Sequence, residues 1–219
     1  MARVIPVAAP VRVRERLRPA GTGAAPIVHR GPDAVYVDVG GWCVGVVGTR
    51  ATAVPCALRA SLDTLPDVAT ADVRDGVLHL DGDPVVVVGR LVDVQVPRLA
   101  VVGTPDPVDV AALVGRGDGL TPYGDDVLCG WLALHRAAGR ATPEVDDEVR
   151  AHLHRTTLLS ATLLDCALHG EVIPEFAAYV AALGTPDETA RADALAAVGH
   201  SSGRGLLEGA TRALGRVAA

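Results

Sequence analysis

A glycine-rich loop that carries hydroxyl and carboxylate groups is the segment of this sequence best suited to chemistry. It spans residues 115–126 and reads GRGDGLTPYGDD. Glycines such as Gly117, Gly119 and Gly124 allow the main chain to approach a ligand closely and to adopt positive φ angles. The loop leads into a predicted helix, whose unpaired N–H groups and positive dipole end favour an anion. We therefore predict that this loop binds a small anion.

The side chains of this loop supply positive charge, hydroxyls and carboxylates. Arg116 can pair with an anion, and Thr121 and Tyr123 can donate hydrogen bonds. Helix capping explains one aspartate at a helix start, but not both Asp125 and Asp126. One of them can orient a substrate amide or act as a general base, or the pair can bind Mg²⁺. We assign no set of metal ligands and no certain cofactor, and Mg²⁺ stays an alternative.

A second glycine-framed turn precedes another predicted amphipathic helix. Its sequence is Gly199-His200-Ser201-Ser202-Gly203. One serine is explained as an N-cap, but the histidine, the second hydroxyl and the two flanking glycines are not. We predict that Ser201, Ser202 and Gly203 form a second small anion pocket. His200 can donate a hydrogen bond or carry a proton, because imidazole titrates near neutral pH.

A cluster of hydroxyl side chains lies in an otherwise apolar helical segment. Thr156 and Ser160 are four residues apart and therefore share a helix face, and Thr157 is also a near neighbour of Ser160. Threonine is not favoured inside helices, so the cluster suggests a binding function. Capping by Thr156 or Thr157 with back-bonding by Ser160 explains the same residues equally well.

The first half of the chain has the pattern of a β-rich lobe over residues 1–104. Short stretches that are apolar or alternate with period two are separated by turn signals such as Gly40-Gly41. Strands are predicted at residues 34–39, 42–47, 77–80, 85–88 and 91–96. Strands of this length and spacing are typical of an antiparallel sheet or a small barrel.

The pattern changes at residues 104–107, and residues 105–219 form a predicted helical lobe that carries the glycine-rich loop. Helices are predicted at residues 108–114, 125–138, 144–154, 156–169, 174–183, 186–198 and 203–217. Strands followed by helices indicate the α+β class.

Composition excludes several classes of function. All 20 basic residues are arginine and the net charge is −6, so lysine chemistry is impossible and nucleic-acid binding is disfavoured. The four cysteines are predicted to be buried thiols, because their spacing suits neither a zinc site nor a disulfide scaffold. No apolar run is long enough for a membrane span. These features predict a soluble, cytoplasmic protein with no nucleic-acid or membrane partner.

Three segments in this order resemble the AllH-like family, which includes a subunit of oxamate carbamoyltransferase, an enzyme of purine and allantoin catabolism. Residues 119–126, GLTPYGDD, are similar to the family signature GLTPSGDD, with Tyr123 where the family commonly has serine. Residues 156–164 resemble the helix that follows this signature. Residues 199–203 resemble a late G-x-S-S/T-G turn of the family. The resemblance covers the C-terminal half of the chain.

The resemblance implies carbamoyl transfer between oxalurate and phosphate, which yields oxamate and carbamoyl phosphate. It also implies two other, unrelated carbamoyltransferase subunits as partners. Asp125 or Asp126 would then orient or deprotonate the amide nitrogen, and His200 would be a second proton carrier. Arg116 or Arg155 would pair with the small anionic substrate, which is carbamoyl phosphate, phosphate, oxamate or a similar compound. The remaining ligand-binding residues are expected among Gly117, Gly119, Thr121, Tyr123, Gly124, Thr156, Thr157, Ser160, Ser201, Ser202 and Gly203.

Two other functions are compatible with the same residues. A non-catalytic subunit or sensor that binds a small anion would use the same loops, with the aspartates as caps. A metal-dependent hydrolase of amides or phosphoesters would use Asp125, Asp126 and His200.

Overall fold

The computed structural model describes residues 4–99, 104 and 106–215. The chain divides into two compact units, Met1–Asp93 and Val94–Ala219. The regular structure of the first unit is mainly strands and that of the second unit is helices, so the predicted α+β class is confirmed. Pro105, at the predicted change of pattern, lies outside the described residues.

The first unit contains a curled mixed sheet, a half-barrel with the strand order β2-β7-β8-β9-β1-β6-β5-β4-β3. Among the described residues, six strand pairs are antiparallel, as predicted, whereas β1–β9 and β5–β6 are parallel. The first strand of the chain, β1, lies in the middle of the sheet, between β9 and β6. The strands are β1 Ile5–Pro10, β2 Gly23–Ala24, β3 Ile27–Arg30, β4 Ala34–Asp38, β5 Cys43–Val47, β6 Ala57–Ala60, β7 Ala71–Arg74, β8 Val77–Leu80 and β9 Asp83–Val92.

The strands predicted at residues 34–39 and 42–47, and those at 77–80 and 85–88, form two β-hairpins. Gly40 and Gly41, with φ angles of 61° and 79°, connect β4 to β5, and the Gly41 N–H donates to Asp38 Oδ1 at 2.7 Å. Asp81 and Gly82 connect β8 to β9 with φ angles of 48° and 84°. Positive φ at both central residues matches the right-handed twist of the flanking strands.

The separate strand predicted at residues 91–96 is wrong. Leu91 and Val92 end β9, whereas the Val96 N–H donates to the Gly170 carbonyl and the Val172 N–H donates to the Val94 carbonyl. The period-two alternation after Asp93 therefore reflects a short extended contact inside the second unit, not a strand of the sheet.

A short helix, α1, interrupts the segment that was predicted to be entirely β. It spans Val11–Leu17 with the sequence VRVRERL, and it buries Val13 and Leu17. The alternation of apolar residues with arginine imitates a strand, which explains why the sequence pattern does not reveal this helix.

Seven predicted helices of the second unit are present within a few residues of their predicted bounds. The predicted end of the last helix at residue 217 lies outside the described residues. The helices are α2 Val110–Leu113, α3 Tyr123–Ala137, α4 Pro143–His152, α5 Leu158–Leu168, α6 Pro174–Ala182, α7 Glu188–Ala196 and α8 Ser202–Ala213, with a 3-10 turn at Leu153–Arg155.

Helices α3 and α8 pack closely because glycines line their interface. A Cβ at Gly130 of α3 would overlap the Leu206 carbonyl oxygen, and a Cβ at Gly209 of α8 would overlap the Val127 carbonyl oxygen. Glycine at these positions therefore lets the two backbones touch. This packing brings the first turns of the two helices together.

All four cysteines, Cys43, Cys56, Cys129 and Cys166, are buried free thiols, as predicted. In the part of the chain that the structure describes, no helix combines the length and the apolar character that a bilayer span requires.

Candidate functional site

Asp125 connects the glycine-rich loop, helix α3 and the hydroxyl cluster next to α5. Its side chain is completely buried. Oδ1 accepts a hydrogen bond from the Gly115 N–H at 2.8 Å, and Oδ2 accepts from the hydroxyls of Thr156 at 2.5 Å and Ser160 at 2.7 Å. Both carboxylate oxygens are thus engaged by protein donors. The structure brings together two segments that are far apart in the sequence, and it gives Asp125 the contacts of an anchor.

Asp126 has a different environment, although it is the next residue. Its side chain is 5% exposed, and Oδ2 has no hydrogen-bond partner among the described residues. Burial raises the pKa of Asp126 to about 7, hydrogen bonds from Ser202 and Thr121 lower it, and the charge of Asp125 raises it. Near neutral pH this carboxyl therefore exists in both protonation states, so it can donate or accept a proton.

Thr121 and Ser202 join the two predicted anion-binding loops. Their hydroxyl oxygens are 2.9 Å apart, across 81 residues of sequence. Thr121 lies just before α3 and Ser202 is the first residue of α8, so the N-terminal ends of both helices meet here. Unpaired N–H groups and the dipole at such ends favour negative charge.

Thr157 is the N-cap of α5 and also holds the glycine-rich loop. Its hydroxyl accepts a hydrogen bond from the Ser160 N–H at 3.1 Å and donates to the Leu120 carbonyl at 2.5 Å. The capping interpretation of this residue is therefore correct, and the cap contributes a loop contact as well.

Tyr123, the first residue of α3, is half-buried and points its hydroxyl toward α8. The hydroxyl donates to Glu208 Oε2 at 2.5 Å, and Glu208 Oε1 accepts from Arg212 Nη2 at 2.5 Å. Burial raises the pKa of Tyr123 to about 12, and the hydrogen bond and charge of Glu208 add to this effect. The phenol is therefore a fixed neutral group at neutral pH.

Packing inside the protein accounts for several of the glycines that suggested close approach to a ligand. A Cβ at Gly115 would stand 2.5 Å from the Arg155 carbonyl oxygen, and a Cβ at Gly124 would overlap the Leu113 carbonyl oxygen. Gly119 differs, because its φ is 90° and the space where a Cβ would stand is open.

Gly117 and Gly203 are also explained by close backbone contacts. Gly117 has a φ of 115°, and a Cβ there would stand 2.8 Å from the Tyr123 nitrogen. At Gly203 a Cβ would overlap the Leu195 carbonyl oxygen. These glycines shape the two loops, whatever the loops bind.

His200 and Arg116 are not joined to the aspartates by any side-chain hydrogen bond or ion pair among the described residues. Both side chains are exposed, and the Arg204 guanidinium donates to the His200 carbonyl at 2.7 Å. Ser201 contributes a main-chain bond, in which the Gly205 N–H donates to its carbonyl at 3.0 Å. Arg155 is likewise exposed, and its carbonyl packs on Gly115 as described above.

Three residues near this cluster were not singled out from the sequence: Gly205, Glu208 and Arg212. The spacing of Glu208 and Arg212 by one helical turn is the usual signal of a surface ion pair, so it did not indicate a site. A Cβ at Gly205 would stand 2.7 Å from Asp126 Cβ, which shows that this glycine makes room for the aspartate.

No group of three or more His, Cys, Asp or Glu side chains is placed to hold a metal ion in the ranges that the structure describes. Protein donors take three of the about four lone-pair sites of the Asp125 carboxylate. The arrangement instead offers a carboxyl that can exchange a proton, two adjacent hydroxyls, a neutral phenol and two helix ends. Those groups suit proton transfer beside a small anion.

No solved structure matches this chain significantly. The glycine-rich loop, the hydroxyl cluster and the second glycine-framed turn all lie between Leu113 and Leu214. Over these residues, 113–214, the chain matches the family model described as oxamate carbamoyltransferase subunit AllH, which confirms the resemblance seen in the three segments.

Proposed function

We propose that this chain is a subunit of an oxamate carbamoyltransferase and that Asp126 exchanges a proton with the substrate. The observation that carries the proposal is the meeting of Asp126, Thr121 and Ser202 at the N-terminal ends of α3 and α8, inside the matched residues. The family match supports the subunit assignment. The substrate, the reaction and the residue functions are our inference.

The proposed reaction transfers a carbamoyl group from oxalurate to phosphate. The bond between the carbamoyl carbon and the oxamate nitrogen breaks, and a bond from that carbon to a phosphate oxygen forms. The proton of hydrogen phosphate ends on the nitrogen, which gives oxamate and carbamoyl phosphate. The reverse direction moves this proton away from the oxamate nitrogen.

Asp126 suits this proton transfer better than Asp125 does. A carboxyl with a pKa near neutrality can deliver a proton to the departing nitrogen and recover it in the reverse direction. Asp125 already accepts three hydrogen bonds, so we assign it the positioning of Gly115, Thr156 and Ser160.

The neutral form of Asp126 also makes anion binding easier. With both aspartates ionised, the first turn of α3 would carry two negative charges and would repel phosphate or a carboxylate. Protonation of Asp126 removes one of these charges, while the N–H groups at the two helix ends remain favourable to an anion. The hydroxyl that accepts in the Thr121–Ser202 hydrogen bond can then donate its own proton to a ligand oxygen.

The partners of the chain follow from the same proposal. We expect the other carbamoyltransferase subunits to supply the part of the site that binds the second substrate, in the reduced cytoplasm where free thiols such as those of this chain are stable. His200 and Arg116 remain candidates for substrate contact, because exposed side chains can turn toward a bound ligand.

Reconstitution with the partner subunits tests the proposal. We expect the complex to form carbamoyl phosphate from oxalurate and phosphate, and Asp126→Asn to reduce turnover by about 100-fold or more, the usual contribution of a general acid or base. Asp118→Asn is the matched control, because Asp118 is an exposed aspartate of the same loop. A complex that has no carbamoyl transfer activity with wild-type chain would contradict the proposal.

A non-catalytic anion-binding subunit is the second candidate. The engagement of both Asp125 oxygens and the exposure of His200 favour it, because they take two of the three predicted catalytic residues out of proton transfer. Calorimetry with phosphate, oxamate and carbamoyl phosphate separates the two candidates. In this second case wild type and Asp126→Asn would both bind a ligand, and the assembled complex would have the same turnover with either chain.

A further inference from the structure

We propose that Glu208, held by Arg212, fixes the direction of the Tyr123 hydroxyl, so that the phenol oxygen presents an acceptor and the site selects a small anion that donates an N–H group. Neither Glu208 nor Arg212 belongs to the residues assigned to the site above. The proposal gives them a positioning function and names the chemical class of the ligand.

The direction of the Tyr123–Glu208 hydrogen bond follows from the chemistry of its two groups. An ionised carboxylate can accept hydrogen bonds but cannot donate them, whereas a phenol has a single proton. At 2.5 Å, the Tyr123 hydroxyl therefore donates that proton to Glu208 Oε2. The pKa of Tyr123, raised to about 12 by burial and by Glu208, keeps the proton on the phenol near neutral pH.

Arg212 keeps the Glu208 carboxylate in this orientation. Its Nη2 donates to Oε1, the oxygen that does not bind Tyr123, and both residues lie on α8 one helical turn apart. Charge-assisted hydrogen bonds of this kind are shorter and stronger than neutral ones. With its proton committed, the Tyr123 oxygen can only accept from a ligand.

Tyr123 lies beside the proton-exchanging carboxyl. Tyr123 and Asp126 are three residues apart on α3, so they are neighbours on its surface. Gly205 of α8 touches both: a Cβ there would stand 2.7 Å from Asp126 Cβ and 3.4 Å from Tyr123 Cδ2. Both side chains therefore border Gly205, and the proposed ligand lies on this shared side of α8.

An acceptor at this position favours an amide, carbamoyl or ureido nitrogen and disfavours a methyl group or a second oxygen. A site with a fixed acceptor discriminates strongly against a ligand that lacks the matching donor, because the acceptor is then left without a partner. This inference rests on the proposed function to the extent that it places the substrate next to Asp126.

Oxamate and pyruvate are a matched pair of probes. Both are planar monoanions of nearly equal size, and they differ by an amino group in place of a methyl group. Calorimetry on the full chain should show that the wild type binds oxamate at least about tenfold more tightly than pyruvate.

Two variants connect this preference to the proposed residues. Tyr123→Phe keeps the ring and removes the acceptor, so the affinity ratio should fall to about one. Glu208→Gln places an amide donor against the phenol, which lets the hydroxyl turn its proton toward the ligand, so the ratio should fall several-fold or reverse. Glu148→Gln is the control, because it makes the same change at an exposed glutamate of α4 and should keep the wild-type ratio.

The outcomes separate this inference from the proposed function. Equal affinities for the two probes in the wild type, no binding of either probe, or an unchanged ratio in Tyr123→Phe would overturn the inference, even if the reconstituted complex transfers carbamoyl groups. An oxamate preference that depends on Tyr123 and Glu208, in a complex without transfer activity, would support the inference and contradict the proposed function.

Discussion

Ser160 donates a hydrogen bond to the buried carboxylate of Asp125 at 2.7 Å, across 35 residues of sequence. The same carboxylate accepts from Thr156 and from the Gly115 N–H. One side chain of α3 thereby joins the start of the glycine-rich loop to the hydroxyls at the start of α5. A buried charged acceptor needs hydrogen-bond donors, and here three protein groups donate to it. The shape of the candidate site therefore depends on a residue that needs no contact with substrate.

Removal of the Ser160 hydroxyl should cost stability. We expect Ser160→Ala to lower the free energy of unfolding by about 1.5–3 kcal/mol, the usual range for a hydrogen bond to a charged group. Thr211→Val is the control, because the Thr211 hydroxyl donates within its own helix, to the Leu207 carbonyl. Urea denaturation measures both variants, and equal losses would show that Asp125 does not depend on Ser160.

The glycine interface between α3 and α8 should not tolerate a methyl group. We expect Gly209→Ala to cost about 3 kcal/mol or more, because its Cβ would overlap the Val127 carbonyl oxygen and the backbones would have to separate. Gly21→Ala is the comparison, since a Cβ at Gly21 would have no atom within 4 Å. Thermal unfolding of the two variants is the measurement. Similar melting temperatures would mean that the helices can move apart at little cost.

Two arginine–aspartate pairs of the second unit should differ strongly in their contribution to stability. The Arg136–Asp146 pair is largely buried, and the Arg136 Nε also donates to the Leu168 carbonyl at 2.8 Å. The Arg150–Asp147 pair is exposed. We expect Arg136→Ala to cost on the order of 3 kcal/mol, since it leaves the largely buried Asp146 without its ion-pair partner and the Leu168 carbonyl without the Arg136 donor, and Arg150→Ala to cost less than about 1 kcal/mol. Denaturation in low and high salt measures both variants. The cost of Arg150→Ala should fall in high salt, whereas the cost of Arg136→Ala should stay the same.

Local turn and capping chemistry explains which parts of the fold could be predicted from the sequence. Gly40 and Gly41 adopt the positive φ angles that a tight hairpin requires, and Gly139, with a φ of 66°, follows the end of α3. Such signals act over a few residues, so hairpins and helices were placed well. The central position of β1 and its parallel pairing with β9 depend on residues at opposite ends of the first unit, and no local signal encodes them.

The sequence predicts the loops that form the candidate site, but it does not predict the side-chain hydrogen bonds between them. The glycines, hydroxyls and aspartates of the sequence indicated the two loops that form the candidate site. The structure adds that these loops contact each other through Thr121 and Ser202. The hydrogen bond between Tyr123 and Glu208 spans 85 residues. In the sequence, the spacing of Glu208 and Arg212 indicates only a surface ion pair. Only the close packing of α3 on α8 creates the hydrogen bond.

Asp126 should give stability a pH dependence opposite to that of an ion-paired aspartate. Its pKa is about 7 in the folded chain and lies near the ordinary value of about 4 in the unfolded chain. Between these values the folded state binds more protons than the unfolded state, so the free energy of unfolding falls as pH rises. The stability linked to the neutral carboxyl is fully present below about pH 4, is lost as pH rises through about 7, and amounts to something on the order of 4 kcal/mol.

Replacement of Asp126 by asparagine should remove this dependence, because the amide stays neutral at every pH. We expect the stability of Asp126→Asn relative to the wild type to be higher near pH 8 than near pH 5, as measured by urea denaturation of both proteins at both values. Asp118→Asn should follow the wild type throughout, since Asp118 is exposed. The ionised form of Asp126 lowers the stability of the protein above neutral pH, and the proposed proton transfer needs this ionisation. The stabilised variant Asp126→Asn should therefore also be inactive. A variant that is stabilised near pH 8 and keeps full turnover would show that the raised pKa of Asp126 is a property of the packing alone.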